Sequence, residues 1–406
     1  MNQLSRRIME MSESETLAMA TRSRKLQEKG IDIINLSIGE PDFNTPEFIK
    51  AAAKKALDDN ITHYTPVAGF KSLREAISLK LKRDNNLDYN PEQIIVSTGA
   101  KQSIANAMMS IVNPGEEVLV ATPYWVSYRE IIKMAGGKPV YVNTHIENHF
   151  KVTPEDIKSR MIHKTRAFIF SSPGNPTGTV YSKQELEALA NTFAQYPDVY
   201  IISDEIYELI NFESHHESIA QFDKIKNQVI LINGVSKGFA MTGWRIGYMA
   251  AHKTIADAAE KFQGQITSGT NAIAQKAALA ALLKKPDELT DLAVMRQAFK
   301  KRRDLILDKL NKINGFKTYI PEGAFYIFPD ISSYFGATYK GKIIRDANDF
   351  TDFLLETAHV AVVTGQAFGD NNCIRISYAT SEDLLTEAMD RIHKAVAQLK
   401  TQVETS

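Results

Sequence analysis

The sequence predicts an α/β protein: a large domain built on a mostly parallel sheet flanked by helices, joined to a smaller α+β domain. Three observations predict it. From about residue 92, short β-rich runs alternate with longer amphipathic stretches, the pattern of strands linked by crossover helices. The runs are continuously apolar rather than alternating, as in a sheet covered on both faces. After about residue 285 the texture changes to a long charged helical pattern, and 406 residues exceed one ordinary domain of roughly 100 to 200. The expected division is 1–46 as an N-terminal segment packing with the small domain, 47–285 as the large domain and 286–406 as the small C-terminal domain.

Taken in order, residues 15–29 read as a helix, followed by the extended run Asn35–Pro41. Gln93–Ser97 is the first β-rich run, and a helical pattern near 101–112 follows it. Glu117–Ala121 and a helix over 126–135 repeat the unit. Further strands are expected at 138–142, 166–171, 199–203, 229–233 and 245–250, each an apolar β-branched run bounded by turn residues or charged helices. Beyond 285 the pattern predicts a long helix through 312, strands near 316–319, 325–329 and 373–377, and helices near 347–357 and 381–399. No internal repeat is present.

Composition narrows the partners. Lys plus Arg equals Asp plus Glu at 48 each, so no net field favours nucleic acid or an acidic membrane surface. The single cysteine, Cys373, excludes an internal disulfide and any multi-cysteine zinc site, which suits a reducing compartment and a cytoplasmic location. Glu10 and Glu13 interrupt the N-terminus before an export signal's apolar stretch forms. No apolar run approaches the ~18 residues of a spanning helix. His145 and His149, and the run His215-His216-Glu217, lack zinc-site spacing and read as loop histidines, so no metal is expected. Lys300-Lys301-Arg302-Arg303 reads as the solvated face of a helix.

Candidate chemistry gathers at the ends of the expected strands, where parallel sheets bind ligands. Lys237 lies in Ile232-Asn233-Gly234-Val235-Ser236-Lys237-Gly238-Phe239, followed by Arg245. A lysine amine becomes nucleophilic only when its neighbours lower its pKa, and Ser236 and Arg245 are the nearby candidates; a surface lysine is the plain alternative. Ser171–Gly178 follows one strand, and its Asn175 sits between prolines and glycines, either as part of a simple turn or as an amide held for a ligand oxygen. Val199–Asp204 ends in a carboxylate that reads as a helix cap or as a partner for a heteroaromatic nitrogen such as the pyridine of pyridoxal phosphate (PLP). Tyr207 follows within reach of the same ligand. Gly99-Ala100-Lys101 opens a helix, either as a plain strand-to-helix turn or as one that aims backbone N–H groups at an anion, with neither Walker nor Rossmann glycine spacing. Trp125 offers a flat ring at the same rim. Arg375 interrupts an apolar strand, and its planar fork matches either a ligand carboxylate or an internal acidic partner.

Together these motifs resemble the class I aminotransferases of PLP-dependent fold type I, and most closely the bacterial aspartate aminotransferase branch. The resemblance spans nearly the whole chain, from Leu4-Ser5-Arg6-Arg7 and Gly39-Glu40-Pro41-Asp42-Phe43 through His63-Tyr64-Thr65-Pro66, Pro123–Tyr128, the Asn175 loop, Asp204 and the Lys237–Arg245 segment, to Arg375. It implies a ping-pong transfer of the amino group of aspartate or glutamate to 2-oxoglutarate or oxaloacetate, with Lys237 as the Schiff-base lysine and proton carrier. By resemblance Asp204 holds the pyridine nitrogen, Asn175 and Tyr207 the phenolic oxygen, and Trp125 stacks on the ring. Gly99, Ala100, Lys101, Ser236 and Arg245 receive the phosphate, joined by Tyr64 from the other subunit of a homodimer. Gly39, Trp125, Asn175 and Arg375 meet the substrate, and Lys101 either its side-chain carboxylate or only the phosphate.

Two departures stand out. Some relatives accept prephenate through a basic residue near position 12, where this chain has Ser12 beside Glu13. Gly234 replaces a hydroxyl residue common in relatives. The alternatives are an aminotransferase of aromatic or other neutral amino acids or of prephenate, a PLP β-lyase, or a regulator built on the same domain. A regulator normally adds a DNA-binding domain, whereas only about 35 residues precede the Gly39 motif.

Overall fold

The computed structural model describes residues 4–212 and 215–400; the outermost parts of the expected segments, 1–3 and 401–406, lie outside it. The strands Ile94–Ser97, Glu117–Ala121, Lys138–Val142, Thr165–Ser171, Tyr200–Asp204, Val229–Gly234 and Gly247–Ala250 form one seven-stranded sheet. Ordered by first residue, they lie side by side as 94, 247, 229, 200, 165, 117, 138. Neighbours from 229 through 138 pair parallel, while Gly247–Ala250 runs antiparallel to both of its neighbours.

Continuously apolar strands arise because consecutive side chains enter different cores. Leu119, Phe168, Ile201 and Leu231 join one buried cluster; Val118, Val120, Ile169, Ile202 and Ile232 join another with the helix Ala100–Ile111. Alternation of side chains across the sheet therefore requires an apolar residue at every position.

A third core belongs to the C-terminal part. The helix Thr290–Leu310 packs on Glu382–Val396, and Ile327, Phe350, Ile374 and Ile376 are buried beneath them. Tyr326–Ile327, Ile374–Ser377 and Val363–Thr364 make a small antiparallel sheet. Ile34–Asn35 pairs in parallel with Val360–Ala361, and Arg22 of the helix Glu15–Gln27 pairs with Asp352.

Four expectations need correction. Residues 316–319 form no strand; Lys317 makes only an isolated bridge to Asp330, where Gly315 takes a φ of +104°. The expected helix over 347–357 is α-helical over Ala347–Phe353 and then widens to a π-turn, Leu354–Ala358, closed by His359 at φ 55°. The last main strand starts at Gly247 because Arg245 takes the left-handed conformation, φ 59°. Arg302 and Arg303 are buried and not solvated. Arg302 reaches Asp42 at 2.7 Å, and Arg303 donates to the Pro321 carbonyl at 2.9 Å, so part of this charge run anchors other segments to the helix. No helix among the described residues is long and apolar enough to cross a membrane.

Candidate active site

Because six strands point the same way, Ser97, Ala121, Ser171, Asp204 and Gly234 end at one rim, and the antiparallel seventh strand begins there after Arg245. A cavity of about 270 Å³ opens at that rim. Gly39, Ala100, Lys101, Trp125, Asn175, Asp204, Tyr207, Ser236, Lys237, Arg245 and Arg375 all line it. Gly99 lies one residue behind, as the N-cap of its helix. Tyr64 is the exception: it is 98% exposed and stands outside the cavity of its own chain. A larger hollow of about 570 Å³ beside Thr338–Ile343 is walled by surface groups such as Lys340, Arg345 and Glu356 and holds none of these residues.

Lys237 lines the cavity, and its Nζ donates to the Gly39 carbonyl at 2.6 Å. Burial, reinforced by Arg245 and Arg375 and opposed by Glu40, lowers its pKa to about 8. Roughly a tenth of such amines are neutral at pH 7, enough for a nucleophile. Asp204 is buried, and that burial raises its pKa to about 6 against the hydrogen bond from Tyr128. The Tyr128 hydroxyl donates to Asp204 Oδ2 at 2.6 Å, and the Ile206 amide donates to Oδ1 at 3.3 Å. No lysine or arginine pairs with this carboxylate among the described residues.

Arg375 is 2% exposed. It donates to Asn175 Oδ1 at 3.0 Å and to the Ser37 carbonyl at 2.7 Å, and its guanidinium lies over the Tyr326 and Phe368 rings. Its Nε has no partner, and no carboxylate pairs with it among the described residues, so the internal salt bridge left open by the sequence is absent. Burial accordingly lowers its pKa. A buried cation without an anion is costly, and the cavity it faces is where an anion would relieve that cost. The Asn175 Oδ1 is occupied by Arg375, which leaves its NH₂ to donate elsewhere.

Beside the cavity, Gly99 holds φ +84° and a Cβ there would collide with the Arg245 guanidinium. Arg245 donates to the Thr242 carbonyl at 2.9 Å. Backbone glycine, helix start and guanidinium together offer donors of the kind that suit an anion. Gly234 admits no side chain, since a Cβ would lie 2.9 Å from both Gly247 Cα and the Ile246 carbonyl oxygen. Lys101 Nζ sits 4.9 Å from the Trp125 ring centroid, and burial together with Arg245 lowers its pKa.

Sequence reasoning missed Tyr128 and Tyr326, which both line the cavity; the Tyr326 hydroxyl lies 2.8 Å from that of Tyr207. Tyr128 was findable, because it stands one helical turn after Trp125 at a strand's carboxyl end. Tyr326 had no such signal. Ser14, Thr16 and Leu17 also reach the cavity from the N-terminal helix.

A family described as aminotransferase class I and II matches residues 31–392. An aspartate aminotransferase of Bacillus subtilis is 44% identical over 395 residues, covering 97% of this chain and 98% of the relative. A probable aspartate/prephenate aminotransferase of Rickettsia felis is also 44% identical, covering 98% of each. Among solved structures, an aspartate aminotransferase from Rhizobium meliloti superimposes with a TM-score of 0.95 at 40% identity, covering 98% of this chain and all of that one.

Proposed function

The chain belongs to the class I and II aminotransferases, and from that premise we propose that it moves the amino group of aspartate or glutamate to 2-oxoglutarate or oxaloacetate with pyridoxal phosphate as cofactor. The observation that carries this reading is the buried guanidinium of Arg375, without a carboxylate partner, facing the same cavity as the pKa-lowered Lys237.

The residues fit the cofactor. The glycine cradle at Gly99 with Arg245 suits its phosphate, with Ala100, Lys101 and Ser236 beside it. Asp204, buried without a cation, suits a protonated ring nitrogen, and Trp125 the ring face. Asn175 and Tyr207 suit the ring's phenolic oxygen. When bound, PLP supplies a conjugated ring that accepts the electron pair released at the substrate Cα. Arg375, with the Gly39 backbone, grips the α-carboxylate common to amino acids and 2-oxo acids, so one pocket receives both in turn. Lys237 Nζ, neutral in part near pH 7, takes the proton from Cα and returns it. Asp204 must stay anionic, and Tyr128 steadies it by donating to Oδ2.

Lys101 chooses the substrate: an ammonium at the cavity edge suits a second carboxylate, as in aspartate. Prephenate also carries two carboxylates, and the Rickettsia relative's description names it, so it is the second reading. The exposed Tyr64 suits a role in a partner's site, as do exposed Leu17, Ile38 and Ile266 in a subunit contact; we take the enzyme to be a homodimer with shared sites.

The test is absorbance of the cofactor-loaded protein mixed with single amino acids. Aspartate and glutamate are expected to convert the cofactor band much faster than leucine or phenylalanine. A faster reaction with phenylalanine overturns the Lys101 assignment. Arg375→Ala is expected to raise KM on the order of a hundredfold, by loss of a desolvated ion pair. Lys237→Ala turning over at the wild-type rate would overturn the mechanism.

A further inference from the structure

Asp204 and Tyr207 line the cavity, whereas Glu205 and Glu208 turn the other way into a buried polar cluster. Glu205 Oε1 accepts from Ser203 Oγ at 2.8 Å and from Ser218 Oγ at 2.6 Å, and Oε2 meets His216 Nε2 at 2.8 Å. Glu208 accepts from Lys80 and from Asn233 Nδ2. Asn233 Oδ1 in turn accepts from the Gly234 amide at 2.7 Å, three residues before Lys237. The Glu205 amide donates to the Ile232 carbonyl at 2.9 Å. One cluster therefore clamps the strand end that carries Asp204 and the loop that carries Lys237.

Glu205 and Glu208 as carboxylates and Lys80 as an ammonium sum to one negative charge, so one further proton on the Glu205–His216 pair makes the buried group neutral; Glu205 Oε1 already accepts from two serine hydroxyls, which favours that proton on His216. We propose that the Glu205–His216 ion pair is a positioning device, which neutralises the cluster behind Asp204 and thereby keeps that carboxylate anionic and fixed where it would meet the cofactor's ring nitrogen. This rests on the cofactor reading above. Glu205 is directly bonded in sequence to Asp204, and its charge is among the influences that push Asp204 toward protonation, so an unpaired Glu205 would oppose the ring contact. Burial works against charge on His216, but Glu205 outweighs it and raises the imidazole pKa. The other groups facing the pair are Lys80 and Glu208, the phenols of Tyr89 and Tyr248, which sense Glu205, and Asp84, which is sensed at Tyr248. Glu205, Glu208 and His216 offer ligand atoms within 4.8 Å of one another, but Glu208 is already paired with Lys80.

The pH titration of the bound cofactor's absorbance tests the proposal. His216→Gln leaves Glu205 unbalanced, and the added negative charge is expected to raise the midpoint by about one pH unit. The double variant Glu205→Gln/His216→Gln restores neutrality and is expected to return the midpoint to the wild-type value, a rescue that a purely structural role would not produce. A wild-type midpoint in His216→Gln, or a shift that the double variant keeps, overturns the inference. Nitrogen-15 histidine spectra of the unmutated, cofactor-free protein are independent of any variant's folding. His216 is expected to be doubly protonated at pH 7.5, and a neutral ring there overturns the inference too. A wild type that develops no cofactor band sinks the cofactor reading itself, whereas a band indifferent to both variants sinks only this step.

Discussion

Asp204 shows how one side chain couples ligand binding to pH. Its folded-state pKa of about 6 lies above the ordinary 3.8 because burial penalises the anion. Between these values the folded protein holds a proton that the unfolded chain releases, so this group's contribution to stability falls as pH rises through that window, on the order of 3 kcal/mol in all. A cofactor with a protonated ring nitrogen needs the anion and would recover that loss. PLP affinity, measured by equilibrium dialysis, is therefore expected to weaken as pH drops below about 6, by up to about tenfold per unit, and Asp204→Asn is expected to flatten that profile. Much of the site's residue list was legible because chemistry-bearing side chains such as Lys237, Asn175 and Arg375 stand in runs where apolar or turn residues would otherwise suffice. Whether Arg375 met an internal acid was not legible, since that depends on which side chains from distant segments face it. His216 does lie in a loop, but its burial and its partner Glu205 were hidden for the same reason, since folding brings that loop back to the strand end.

At the scale of elements, the rim is set by strand direction and by a few backbone conformations. The turn at Gly99 requires positive φ, and the missing Cβ leaves room for Arg245. Gly99→Ala therefore combines a penalty of about 1–3 kcal/mol for an extended backbone at positive φ with a displaced guanidinium. Its expected result is a cofactor affinity reduced by about tenfold or more, with PLP 5′-phosphate binding affected more than binding of the dephosphorylated vitamer. A ratio of affinities equal to that of the wild type would show that the cradle is not a phosphate seat. Strands of the main sheet were legible from continuous apolar runs, whereas 316–319 was misread because an apolar-looking run with a glycine at Gly315 satisfies its backbone by a bridge to Asp330. Burial of Arg302 was equally hidden: a basic run on a helix is a solvated face unless another segment, here Asp42, comes to meet it.

On the scale of the whole molecule, the sheet's two apolar faces and the separate C-terminal core support a large domain over 47–285 and a small one over 286–406 with the N-terminal segment, a division we propose from the two sets of clusters. The site draws on both, since Arg375 and Tyr326 come from the C-terminal part and Lys237 and Asp204 from the main sheet. Tyr64, 98% exposed, is expected to complete the site of a second subunit. Light scattering should give twice the 45.4 kDa chain mass. Tyr64→Phe mixed with Lys237→Ala should form hybrid dimers in which the only lysine-bearing site has its own Tyr64 contributed by the other chain, restoring wild-type cofactor affinity at that site; a monomer in solution would overturn this. The sequence by itself determined the α/β class and the side chains available for chemistry, because these follow from local periodicity and from residue types at strand ends, and its motifs in their order carried the resemblance to the aminotransferases. Only the tertiary structure decided that Arg375 is left without an acid, that Tyr128 donates to Asp204 and that His216 meets Glu205, because pairing in a buried site depends on contacts that folding brings about.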